Sequence, residues 1–185
     1  MRIIAGEWKG RRLNAPKGKV TRPTPDRVRE ALFSILGARI EAANVLDLFA
    51  GTGCLGLESL SRGARHACFV EKDRRVFGVL KENLQIADSN MVSCINAPAQ
   101  RALKLLKKQE FTCDLAFLDP PYDRGLLEPA FHGLLKLRLV NPGGTLICEH
   151  HSKTAPPTPL EPWALISTRI FGDVGISFFE FDGGE

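Results

Sequence analysis

Apolar residues in this chain fall into two alternating patterns. Short, nearly continuous runs occupy residues 45–49, 67–70, 91–95, 115–118 and 145–148. After each of the first four comes a stretch with apolar positions three to four apart, reaching about residue 62 and then spanning 73–87, 98–108 and 126–137. Continuous runs fit strands buried on both faces, and the 3–4 spacing fits amphipathic helices packed over them. Strand and helix alternating every 20–25 residues predicts βαβ units and a doubly wound, Rossmann-like α/β sheet. The last part of the chain breaks this rhythm. Four prolines within residues 156–162 mark a stiff surface loop, and two apolar runs at 164–171 and 176–181 leave no room for a helix between them. They predict a C-terminal antiparallel hairpin on a mostly parallel sheet.

The first 40 residues form a third region. Ile3, Ile4 and Leu13 flank Gly6, Gly10 and Asn14, which predicts a short β-hairpin. Thr24-Pro25-Asp26 then reads as a helix start, with Thr24 as N-cap and Pro25 in the first position. Val28, Ala31, Leu32, Ile35 and Leu36 give that helix its apolar face. The expected organisation is a hairpin-and-helix extension over residues 1–40 packed on a body of residues 41–185.

Charge sharpens this division. Residues 1–30 hold nine basic residues against three acids, a net +6, whereas the other 155 residues hold 16 against 18, a net −2. A basic arm on a near-neutral body points to a polyanionic partner. Arg11, Arg12, Lys17, Lys19, Arg22, Arg27 and Arg29 are the candidate phosphate contacts, and Trp8 is a candidate for base stacking or for packing the hairpin. The rest of the composition is ordinary for one folded domain: 185 residues, 44% hydrophobic and 25% charged. No apolar run approaches the ~18–20 residues of a membrane span, and the N-terminus lacks the apolar core of a secretory signal. Five widely spaced cysteines without a C-x-x-C pair read as reduced thiols of a cytoplasmic protein, neither disulfides nor a metal site. Glu149-His150-His151 reads as a strand end, because adjacent histidines without further ligands make a poor metal site.

Two motifs carry chemistry. Asp47-Leu48-Phe49-Ala50-Gly51-Thr52-Gly53-Cys54-Leu55-Gly56 leaves the first strand and opens a helix, the setting in which small residues let a nucleoside cofactor approach the backbone. Glu71, with Lys72 beside it, ends the second strand 20 residues after Gly51, where an acid holds ribose hydroxyls. The carboxylate of Asp47 just before the glycines is awkward for a pyrophosphate and suits a cationic cofactor such as S-adenosylmethionine. The second motif is Asp119-Pro120-Pro121-Tyr122, at the end of the fourth strand. Two prolines fix an extended backbone, the Asp119 carboxylate and the Pro120 carbonyl offer acceptors, and Tyr122 offers a ring face. That set suits an exocyclic amine on a flat base. An NAD-dependent oxidoreductase would use the glycines but leave Asp47 and Asp119–Tyr122 without a task. A non-catalytic RNA-binding factor would leave the second motif unexplained.

Together, Asp47–Gly53, Glu71 and Asp119–Tyr122 resemble the motifs of class I S-adenosylmethionine-dependent amino-methyltransferases. Arg2–Gly6, Lys9–Leu13, Arg22–Phe33 and Leu55–Ala64 narrow the resemblance to the bacterial RsmD family. That resemblance implies methylation of guanine N2 in 16S ribosomal RNA, with the RNA or a small-subunit particle as partner. An adenine-N6 enzyme is the alternative within the same chemistry. It also implies an adenine contact after the third strand, where Asn96-Ala97 stands in place of the more usual acid. The final hairpin turn, Phe171–Gly175, lacks the Tyr-Gly-x-Thr pattern associated with the family.

Overall fold

A computed structural model describes residues 1–16, 24–121 and 125–181. Its body is one seven-stranded sheet in the order β3-β2-β1-β4-β5-β7-β6. The strands are β1 (Asn44–Asp47), β2 (His66–Val70), β3 (Val92–Ile95), β4 (Cys113–Leu118), β5 (Val140–His151), β6 (Trp163–Phe171) and β7 (Val174–Phe181). The first five run parallel, and β7 enters antiparallel between β5 and β6. The expected doubly wound sheet with a terminal antiparallel hairpin is therefore what the chain forms. Its order reverses between β1 and β4, the kind of switch point at which open α/β sheets bind ligands.

The helices are α1 (Asp26–Leu36), α2 (Cys54–Ser61), α3 (Arg74–Leu84), α4 (Ala99–Lys108) and α5 (Leu127–Leu137). They cover both faces. One apolar core gathers Leu32, Phe33, Leu57, Phe69 and Phe117, and the other gathers Leu46, Leu103, Phe131, Leu146 and Phe179. One strand outruns its apolar run and one expectation shifts. Residues 141–144 lie inside the irregular start of β5, where the pairing with β4 jumps from Cys113↔Val140 to Leu115↔Thr145. At α1 the N-cap is Pro25, which offers no side-chain cap, and the Thr24 hydroxyl bonds elsewhere.

The N-terminal segment closes as a narrow hairpin. Ile3 N–H donates to the Arg11 carbonyl, Gly10 N–H to the Ile3 carbonyl, and Arg2 bridges Arg12. Three polar side chains of the body hold it down. Glu58, fully buried on α2, accepts from the N–H groups of Ile4 and Ala5 at 2.7 and 3.0 Å and from Arg62 at 2.8 Å. The Ser61 hydroxyl donates to the Ala5 carbonyl and accepts from Trp8 N–H. Asn83 on α3 accepts from Asn14 N–H and donates to the Asn14 carbonyl. Contact is so close at Gly6 (φ +82°) that a Cβ there would overlap the Ser61 carbonyl. Ile3 and Leu13 reach the same core as α1 and α2, and Trp8 packs half-buried against it.

Arg29 corrects one expectation. Its side chain is fully buried, donating to Asp26 at 2.8 Å and to the Arg2 carbonyl at 2.9 Å, with Glu58 3.9 Å away. A guanidinium sealed beneath the hairpin holds the arm to the body and offers nothing to an RNA phosphate. Arg11, Arg12 and Arg27 are exposed. Lys17, Lys19 and Arg22 lie outside the described residues.

Candidate active site

The carboxyl ends of β1, β2, β4 and β5 converge on a cavity of about 440 Å³. That volume lies in the range of small-molecule sites. Its walls include Phe49, Ala50, Gly51 and Thr52 from the turn after β1, Glu71 and Lys72 after β2, Ala97 after β3, and Asp119, Pro120 and Pro121 after β4. Tyr122 falls outside the described residues.

The glycine turn is held from several sides. Gly53 caps α2 with φ +83°, a left-handed conformation that favours glycine. The Glu71 carboxylate accepts from Gly51 N–H at 3.0 Å and from Asp73 N–H at 2.8 Å. Asn83 donates to the Thr52 carbonyl at 2.9 Å, so the side chain that anchors the arm at Asn14 also fixes this turn. A carboxylate has about four acceptor sites. Glu71 can therefore brace the turn and still receive hydroxyls.

Asp47 sits one layer behind the wall. It is 2% exposed and accepts from Gly56 N–H at 3.1 Å. Burial pushes its carboxyl up to about 7; the Gly56 bond pulls it down and the Glu71 charge pushes it further up. The sequence suggested direct contact with a cationic ligand, whereas the structure places this charge behind the cavity and supports the turn with it. Asn96 is likewise displaced from its expected task. Its side-chain amide donates to the carbonyls of Glu71 and Lys72 at 2.8 and 3.2 Å, bracing the turn after β2. Ala97, rather than Asn96, lines the cavity beside the apolar surface of Val70 and Val76. The Cys54 thiol, also in the wall, is pushed up to about 12, chiefly by burial, and stays protonated.

Among the wall residues that sequence reasoning missed, two adjoin Asp119. Glu149, read as an ordinary strand end, opens onto the cavity from β5, and Thr24, read as a helix cap, reaches it from the arm. The Thr24 hydroxyl donates to Glu149 at 2.9 Å across 125 residues of sequence. Leu118 and Cys148 are register partners, so Asp119, one residue past the end of β4, comes beside Glu149, which is still within β5. Asp119 is pushed well above the ordinary carboxylate range by burial, then by the charges of Glu149 and Asp47, while the nearby Thr24 hydroxyl acts the other way. The one available signal was positional, since Glu149 follows the fifth apolar run as Asp119 follows the fourth. The neighbouring His150 is buried and bonded to Ser177 at 2.8 Å. No cluster of three or more His, Cys, Asp or Glu side chains suited to a metal occurs among the described residues. No helix among them is long and apolar enough to cross a membrane.

Such a site offers a cavity of small-molecule size with the Glu71 carboxylate, an apolar slot, and a wall of hydrogen-bond acceptors. Comparison with known proteins identifies the family. The family model described as conserved hypothetical protein 95 matches residues 1–180. Ribosomal RNA small subunit methyltransferase D of Escherichia coli K12 is 36% identical over 180 residues, covering 97% of this chain and 89% of the relative. Its Haemophilus influenzae counterpart is 37% identical over 182 residues, covering 97% and 93%. The solved structure of Escherichia coli yhhF superposes with a TM-score of 0.88 at 36% identity, covering 100% of this chain and 99% of that one. With the fold, the glycine turn and the arm all lying within the matched span, the chain belongs to the conserved hypothetical protein 95 family, the RsmD-type methyltransferases.

Proposed function

We propose that this protein transfers a methyl group from S-adenosylmethionine to the exocyclic N2 of a guanine in 16S ribosomal RNA. The observation that carries this reading is the pairing of a cofactor-sized cavity with the Asp119-Pro120-Pro121 wall at its edge. Relatives named for small-subunit rRNA methylation over nearly their whole length support the substrate class. The residues present fit the cofactor. Glu71 faces the place of the ribose, Val70, Val76 and Ala97 form an apolar slot for the adenine, and the acid Asp47 behind the turn favours a cation. When bound, S-adenosylmethionine supplies an electrophilic methyl on a positive sulfur.

The protein's part is to hold and deprotonate the amine. A guanine amino nitrogen is a weak nucleophile because its lone pair is delocalised into the ring, and it must leave the stack to be reached. Asp119 and the Pro120 carbonyl accept the two N2 hydrogens and turn the lone pair toward the methyl. Tyr122 supplies the stacking face in this proposal. Held by Glu71 and the apolar slot, S-adenosylmethionine would supply the methyl carbon and would take up the carbon–sulfur electron pair. Positive charge develops on N2 against the acceptor wall. Asp119, whose proton affinity is raised, takes the departing proton. The exposed Arg11, Arg12 and Arg27, with Lys17, Lys19 and Arg22, grip phosphates.

The test is to incubate the protein with labelled S-adenosylmethionine and small-subunit particles lacking the modification, then map the product nucleoside. N2-methylguanine is expected, and Asp119→Ala should abolish its formation while cofactor binding persists. Methyladenine would overturn the base assignment, and full turnover by Asp119→Ala would remove Asp119 from the chemistry.

A further inference from the structure

Thr24 and Glu149 line the same cavity as Asp119, and the proposed transfer gives them no task. Three features give them a task. First, Glu149 stands beside Asp119 on the adjacent parallel strand, one register step past Leu118↔Cys148. Adjacent strands lie about 4.8 Å apart, so groups leaving them side by side can meet neighbouring atoms of one base edge. Second, Glu149 is held there by the Thr24 hydroxyl at 2.9 Å, and Thr24 is itself 6% exposed. That bond helps to fix the carboxylate at the cavity edge. Third, the described wall offers acceptors here: the carboxylates of Asp119 and Glu149 with the Pro120 carbonyl.

A guanine presenting N2 to Asp119 also presents N1–H, on the neighbouring ring atom. An adenine, or any purine with a lone pair at N1, would set that lone pair against a carboxylate. We propose that Glu149, held by Thr24, accepts the N1–H of the target base and is a specificity-determining residue for guanine. This inference rests on the guanine-N2 reading and adds a second contact to it. Thr24 is a positioning residue, and because it belongs to the arm, seating of the arm and reading of the base share one hydrogen bond.

The test compares guanine with 2,6-diaminopurine at the mapped nucleotide in reconstituted particles. Diaminopurine keeps the N2 amine but has a bare N1. Wild type should methylate it about 10–100-fold less efficiently in kcat/KM, the discrimination of one good base-edge contact. Glu149→Gln should lose a similar factor on guanine but little on diaminopurine, because its amide can donate to N1. Its cofactor affinity should stay within about twofold, which also reports that it folds. Equal wild-type rates on the two bases would overturn the role of Glu149, and this comparison needs no variant. So would a Glu149→Gln defect equal on both. Failure of wild type to modify guanine at N2 would instead defeat the underlying reading, a separate outcome seen before any variant is made.

Discussion

Replacing Asp47 with Asn should stabilise the protein more as pH rises while weakening its hold on a cationic cofactor. Asp47 is buried behind the glycine turn and its carboxyl is raised to about 7. Between its ordinary value near 4 and about 7 the folded chain holds a proton that the unfolded chain has released. Stability therefore falls as pH rises through that window and levels off above it. Each pH unit corresponds to about 1.4 kcal/mol, so Asp47 costs about 3 kcal/mol between about pH 5 and about pH 8. An Asn at this position keeps an acceptor for Gly56 N–H but does not titrate. Urea unfolding of both proteins at the two pH values isolates this difference, because other groups such as Asp119 cancel. The stability of Asp47→Asn relative to wild type should improve by about 3 kcal/mol on going from the acidic to the alkaline condition. Calorimetry should show wild-type affinity for S-adenosylmethionine rising through about pH 7 and the Asn variant flat and about tenfold weaker above it, the effect of ~1.4 kcal/mol. A relative stability independent of pH would refute the claim that this acid is held protonated by burial.

Other outcomes follow from the arm. Glu58→Gln removes the carboxylate that receives Ile4, Ala5 and Arg62, and should cost about 3–5 kcal/mol in urea unfolding, as for a broken buried ion pair. Gly6→Ala sets a Cβ against the Ser61 carbonyl at positive φ. A loss of at least ~2 kcal/mol should lower Tm by about 4–8 °C in a scanning melt. Arg29→Met should leave the slope of log RNA affinity against log salt unchanged, because the sealed guanidinium meets no phosphate, while lowering stability in urea unfolding, because Asp26 and buried Glu58 lose a partner. In contrast, Arg11→Ala with Arg12→Ala should lower the slope of log affinity against log salt by about one to two.

The sequence by itself determined the elements and their order. Continuous apolar runs and a 3.6-residue period record how each element is buried, and burial is local enough to be written in neighbouring residues. The positions of Gly51, Gly53, Glu71 and Asp119 were legible for the same reason. A strand that ends in a turn at a sheet edge delivers its next residue to the ligand side, whatever the rest of the chain does. Only the tertiary structure decided which polar side chain meets which. Arg29 and Arg27 are indistinguishable by spacing, yet one is sealed over Glu58 and the other is exposed, because α1 turns one face to the hairpin. Asn96 occupies the adenine position in sequence but spends its amide on the carbonyls of Glu71 and Lys72. Thr24 carries every mark of a helix cap and instead bonds Glu149. A hydroxyl needs a partner, and where several are compatible with the local chain, the choice belongs to whatever the fold brings within 3 Å.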